Sequence, residues 1–221
     1  MILITALTVN HKIQSFLKRE FKIKSYCHVK NQTIWKDGQL VYENKKAHFS
    51  EFAKSAYRFM EIQYSKFFKM DNLSKLAFLA SEVLLEQEKN SEDEKNIALV
   101  FSNKASSLDT DRKHQESIEN LEEYFPSPSV FVYTLPNICL GEISIKHKLY
   151  SENSFFIFER FNAEHLQRYS NSLLRNAKAK KVLTGWIDFD ENNYEAFLYI
   201  VEEGGEIDHN TEEINRLYNI L

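Results

Sequence analysis

The sequence predicts one α/β domain over residues 1–221, a mixed sheet flanked by helices. Three observations lead there. Apolar runs of strand length, residues 97–101 and 196–201 among them, are unbroken, as in strands covered on both faces. Between such runs lie segments with apolar residues at helical spacing, for example Phe52, Ala56, Phe59 and Met60. With 221 residues and 43% apolar content, the chain can bury roughly 70% of its unfolded surface, which suits a real core.

Residues 2–9 read as a first strand. They are apolar, with no basic residue before them and no small-residue cleavage site after them, and they are too short to span a bilayer. From 21 to 44 the pattern alternates loosely around Lys36-Asp37-Gly38-Gln39, a turn signal between two short β-like pieces. Ser50 offers an N-cap for a helix over about 49–64. Asp71 caps the next helix, which places Leu73, Leu76, Ala77, Ala80, Val83 and Leu84 on one face and runs into the polar connector 87–90. After the strand at 97–101, Asp109 or Thr110 caps a helix to about 122, so Asp109 and Asp111 read as capping and first-turn dipole partners. Residues 154–159 form a strand and 163–177 a helix with Leu166, Tyr169, Leu173 and Leu174 inward. Strands at 181–189 and 194–201 follow, joined by the turn Asp190-Glu191-Asn192-Asn193. Gly204-Gly205 then breaks the chain before a last short helix opening at Thr211. There is no internal repeat, low-complexity tract or linker.

A net charge of −4 and a pI near 6.0 argue against a nucleic-acid binder, which needs a basic face. Lys178, Lys180 and Lys181 form the one basic cluster, at a helix C-terminus where cations suit the dipole; an acidic carrier protein is the alternative reading. Two cysteines, Cys27 and Cys139, are too few for a disulfide framework and suit a reducing, cytoplasmic setting. No metal-ligand spacing, glycine-rich phosphate loop or membrane-length apolar run is present, so neither a metal, a nucleotide cofactor nor a membrane partner is expected.

Residues 126–147 hold all three prolines and one of only five glycines. Proline donates no backbone N–H and pushes the preceding residue out of helical geometry. Leu135-Pro136-Asn137 therefore separates one helical turn from a new helix starting at Pro136. With Lys69-Met70-Asp71-Asn72-Leu73-Ser74-Lys75-Leu76-Ala77 and Ser107-Leu108-Asp109-Thr110-Asp111 upstream and Ser151-Glu152-Asn153 downstream, this segment resembles what β-ketoacyl synthases carry before their nucleophile. The resemblance covers roughly residues 67–189 and implies the N-terminal half of a thiolase-like fold, similar to truncated chain-length-factor-like synthase proteins. A complete member of that family is about twice this length, with its catalytic histidines in the other half.

The resemblance also locates a departure. Family members end an apolar strand at a sharp turn that holds the reactive cysteine at a helix N-terminus, where the dipole favours thiolate. Counting back from Thr184-Gly185, which matches the alanine-glycine of the family's next strand, that position falls on Arg160, give or take one residue. None of Glu159, Arg160, Phe161 or Asn162 is a thiol or hydroxyl. Arg160 and Phe161 thus mark either a degenerate site filled by bulky side chains or a turn that has drifted into packing. Cys139 is the remaining nucleophile candidate, with structural packing as the bland reading. Cys139, His147 and His165 are candidates to line a residual substrate pocket, while for His147 and His165 surface placement is the favoured reading. His209-Asn210-Thr211 only superficially resembles the family's His-Gly-Thr.

The resemblance implies a non-catalytic subunit that pairs with a complete ketosynthase, or with itself, in acyl-chain synthesis of the fatty-acid or polyene type, any carrier-protein contact being indirect. The dimer strand would be Phe155-Phe156-Ile157-Phe158, adding antiparallel to a partner's equivalent. The alternatives are a stand-alone acyl- or protein-binding module and an enzyme whose nucleophile has moved to Cys139.

Overall fold

The computed structural model describes residues 19–88, 95–119 and 126–221. The strand expected at 2–9 lies outside these residues, as does the expected end of the helix near 122. Eight strands make one mixed sheet: β1 (Lys22–Lys30), β2 (Thr33–Lys36), β3 (Gln39–Glu43), β4 (Ile97–Asn103), β5 (Asn153–Ile157), β6 (Lys181–Asp190), β7 (Asn193–Glu202) and β8 (Ile207–Asp208). Their order is β3-β2-β1-β7-β6-β4-β5, with β8 added to the start of β1. β5 and β6 flank β4 in parallel, and the other pairs are antiparallel. Asp37 and Gly38, both at positive φ, make the hairpin turn that Lys36-Asp37-Gly38-Gln39 signals.

Seven α-helices cover the two faces and one end of the sheet among the described residues: α1 (Phe49–Phe59), α2 (Asn72–Leu85), α3 (Leu108–Glu119), α4 (Pro128–Val132), α5 (Ile138–His147), α6 (Ala163–Arg175) and α7 (Thr211–Tyr218). Strand alternation sorts the core into two layers. Leu99 and Phe101 of β4, Leu183, Ile187 and Phe189 of β6, and Leu198 and Ile200 of β7 face α1, α2 and α5. Their neighbours Ala98, Val100, Val182, Phe197, Tyr199 and Val201 face α6 and α7. A β-bulge between Ile23 and Ser25 resets β1, so that Ile23 and Tyr26, three apart, share the α6 side.

The Asp71 cap is present: its Oδ1 accepts the Ser74 amide at 2.9 Å and its Oδ2 the Thr110 hydroxyl at 2.8 Å. α2 is nevertheless not the one-faced helix expected. It is buried on nearly every side, from Leu73 through Leu85 except Lys75, because it lies between the sheet and the helices α1 and α5. α1 stops at Phe59 rather than near residue 64, where Met60 leaves helical geometry and Glu61 takes positive φ. α3 starts at Leu108, so neither Asp109 nor Thr110 is its cap. Both aspartates lie in its first turn, where the dipole favours them, and Asp109 also accepts from Asn72 (3.1 Å) and Lys113 (2.6 Å). The break at Leu135-Pro136-Asn137 is present, with α4 ending at Val132, but α5 opens at Ile138 after the cap Asn137 rather than at Pro136.

Candidate functional site

The place where a nucleophile would sit is built by β5, a four-residue turn and α6. β5 runs beside β4 and reaches one residue further by the bond from the Phe158 amide to Asn103 O (2.9 Å). Asn162 then caps α6, its Oδ1 accepting the His165 amide at 3.0 Å. This cap takes up a helix N-terminal donor that would otherwise be free to favour an anion. Arg160 is exposed at the mouth of an open groove of about 900 Å³, which Phe158, Asn162, Thr211 and Asn215 also line. Phe161 turns inward and stacks on Tyr218 of α7, with ring centroids 4.2 Å apart, and meets Phe197 and Trp186 edge-on at 5.7 and 6.3 Å. The chain's own last helix therefore closes over the turn. Tyr218 and Trp186 were not legible here from the sequence, since nothing in their spacing ties them to residue 161.

Cys139 lies on the other face of the sheet. It is 1% exposed in the layer with α2 and α5, and burial pushes its thiol well above the ordinary range. Cys27, also buried, is pushed up to about 12 by the same cause. A thiol held protonated in an apolar layer is a packing group rather than a nucleophile. Both cysteines are expected to resist an aromatic disulfide reagent in the native protein and to react fully in denaturant. Rapid native labelling of either would contradict this burial.

One turn after Cys139, the buried carboxylate of Glu142 accepts from Tyr133 (2.9 Å) and Tyr64 (3.4 Å) and pairs with Lys66 (3.0 Å). Burial and the adjacent Glu142 charge raise both tyrosines above their usual range. Glu142, between the apolar Leu140 and Ile143, was the available signal for this cluster. The arrangement satisfies a buried charge and ties α5 to the 3₁₀ turn Ser65–Lys69.

His165 and Cys139 do not meet. His165 sits on the α6 face, its ring packed edge-on against Phe156 (4.5 Å) and Phe158 (5.0 Å) and parallel to Tyr169 (6.0 Å). His147 is not a surface residue either, since it pairs with Glu82 in the α2–α5 contact, 9% exposed. The lysine cluster is split: Lys181 leaves the helix end, opens β6 and joins Glu88, Glu202 and Lys24 in an ion network. Phe155 packs towards α5, Phe156 towards α6, and Ile157 is 49% exposed at the end of β5, which is an edge of the described sheet. No group of three or more candidate metal ligands occurs among the described residues, and no helix there is long and apolar enough to cross a membrane.

No protein-family model and no curated protein sequence matches the chain. Solved structures do. The ishigamide ketosynthase/chain length factor matches with a TM-score of 0.61 and 16% identity, over 85% of this chain and 64% of that one. The ketosynthase ApeO in complex with its chain length factor ApeC from Xenorhabdus doucetiae gives 0.57 and 12%, over 92% of each chain. AntDE:AntF, a type II PKS acyl-carrier protein in complex with its ketosynthase bound to the hexaketide, gives 0.54 and 11%, over 85% and 63%. The chain thus spans less than two thirds of the ishigamide and AntDE chains and nearly all of the matched chain in the Xenorhabdus complex. At these identities the likeness is one of fold, and that fold is the thiolase-like fold of ketosynthases and chain length factors.

Proposed function

We propose that this protein is a non-catalytic ketosynthase-like subunit that pairs with a complete β-ketoacyl synthase, or with itself, in cytoplasmic acyl-chain synthesis of the fatty-acid or polyene type. One observation carries the reading: the strand-to-helix turn that would hold a nucleophile holds Glu159, Arg160, Phe161 and Asn162, with Phe161 locked against Tyr218. The pairing surface is the β5 edge of the described sheet, including Phe155, Phe156, Ile157 and Phe158. Exposed Ile145 and Tyr150 extend it on the adjoining α5 side, where Asn153 also bonds Ser144 (3.2 Å). Carrier protein would meet the complete synthase rather than this chain. That the matched structures include a ketosynthase with its chain length factor and a ketosynthase with its carrier protein supports this reading.

Incubating the purified chain with malonyl-carrier and acyl-carrier proteins should give no condensation product and no acyl adduct by intact mass. A stable adduct on Cys139 would favour the relocated-nucleophile enzyme instead. Arg160→Cys should also remain inactive. The family's catalytic histidines belong to the half that the resemblance does not cover, and catalytic groups that act as a unit fail together. Turnover by that variant would show that the rest of the machinery is in place.

A further inference from the structure

α5 is apolar on two sides. Cys139, Leu140 and Ile143 are buried in the layer it shares with α2. On the other side Ile138, Gly141 and Ile145 stand at positions i, i+3 and i+7, so they form one stripe along the helix. Leu135, whose carbonyl accepts the Ile138 amide at 3.0 Å, precedes the stripe by one turn. Leu135 and Ile145 are 55% and 62% exposed, Ile138 is half-buried, and a Cβ added to Gly141 would meet nothing within 4 Å. Glu142, Lys146 and His147 turn away from the stripe, towards Tyr133, Gln63 and Glu82. A helix apolar on both sides is normally covered on both.

The position of α5 over β5 selects what covers the second side. Asn153, the first residue of β5, bonds Ser144 at 3.2 Å, and Phe155 packs towards α5. Gly141 is three residues back along a helix that runs antiparallel to the strand it feeds, about 4.5 Å nearer the middle of β5. That places it above Ser154 and Phe155, since a strand residue spans about 3.3 Å. An antiparallel pair of β5 strands has a two-fold axis perpendicular to the sheet, through Phe155 at the centre of Asn153–Ile157, and keeps both copies of α5 on one face. Strands about 4.8 Å apart carry the helices above them to the roughly 8–10 Å at which helices pack. Gly141 then meets its own counterpart, and Ile145 of one copy reaches Ile138 and Leu135 of the other. The five-residue edges alone would bury far less than the roughly 800 Å² per partner of a stable dimer.

We propose that the outer stripe of α5 is a helix–helix interface with a second copy of this chain, with Gly141 as the point of closest approach. This rests on β5 being a pairing edge and names what that edge pairs with. The purified chain should sediment as a homodimer. Gly141→Leu and Ile145→Lys should each raise its dissociation constant by at least about tenfold. Gly141→Ala, one methyl at the crossing, should stay dimeric. Neither disruptive side chain meets its own protomer, so the circular dichroism of both variants should match the parent. Parent-like dimers of Gly141→Leu and Ile145→Lys beside a monomeric Ile157→Lys would overturn the helix interface and leave the β5 edge standing. A chain that is monomeric alone and dimeric only with a co-expressed complete ketosynthase would overturn the second copy as occupant and leave the subunit reading intact. A chain that associates with neither would overturn both.

Discussion

Gly185→Ala is expected to abolish folding. Gly185 lies in the middle of β6, paired with Phe101 of β4 on one side and Leu198 of β7 on the other, at φ 151°. A Cβ there would stand 2.0 Å from the Phe197 carbonyl oxygen and 3.0 Å from Leu198 Cα. Both are backbone atoms of a central strand held by two ladders, so no flexible side chain can give way. The cost should exceed about 4 kcal/mol, comparable to the whole stability of many domains. Gly141→Ala is the control. Gly141 lies inside α5 with nothing within 4 Å of the added carbon, and alanine there should stabilise by about 0.5–1 kcal/mol. Urea titrations followed by far-ultraviolet circular dichroism test the pair. A folded Gly185→Ala protein with an unchanged midpoint would contradict the packing described for the sheet.

Acidification from pH 7 to 4.5 should destabilise the protein strongly, and through α7 first. His28 and His209 are buried, 2% and 6% exposed, and burial lowers both from 6.5 to about 4. His28 stacks near Phe197 (4.8 Å) and bonds the Leu217 carbonyl in α7 (3.0 Å), while His209 directly precedes the α7 cap Asn210. Because the folded values are depressed, the unfolded chain takes up protons first. The stability is fully present above about pH 6.5 and is lost as pH falls towards 4, by up to about 3 kcal/mol for each histidine. Glu88, held low by Lys181 and Lys24 against the opposing effect of its burial, adds its own loss only below the ordinary carboxylate range. Urea midpoints across this range and hydrogen exchange in α7 check the expectation. A flat profile from pH 7 to 5 would contradict it, and His28→Gln should remove part of the slope.

Residues whose neighbours in sequence dictate geometry were legible from the chain alone. The Asp71 cap, the Asp37-Gly38 turn, the Leu135-Pro136 break and the apolar runs of β4 and β7 rest on local sterics, capping or period-2 burial. The resemblance placed the strand-to-helix turn, and Asn162 indeed opens α6 there. What was not legible depends on contacts between distant segments. The burial of α2 on nearly all sides needs α1 and α5 to arrive, the Phe161–Tyr218 stack joins residues 57 positions apart, and His147 is drawn inward only by Glu82 of another helix. Cys139 and His165 fall on opposite faces because the sheet passes between their helices, a separation that spacing along the chain does not encode.

The central claim, that β5 is a pairing edge, is tested most directly by size-exclusion chromatography with light scattering at micromolar concentration. The chain would be run alone and co-expressed with a complete ketosynthase. A homodimer or a heterodimer is predicted, and Ile157→Lys should reduce it to monomer with little change in thermal stability, since Ile157 is half-exposed in the isolated chain. Phe156→Lys is the less clean probe, because it also breaks the packing on His165 and Tyr169. A well-behaved monomer that never co-purifies with the synthase would contradict the subunit reading and leave a stand-alone acyl- or protein-binding module.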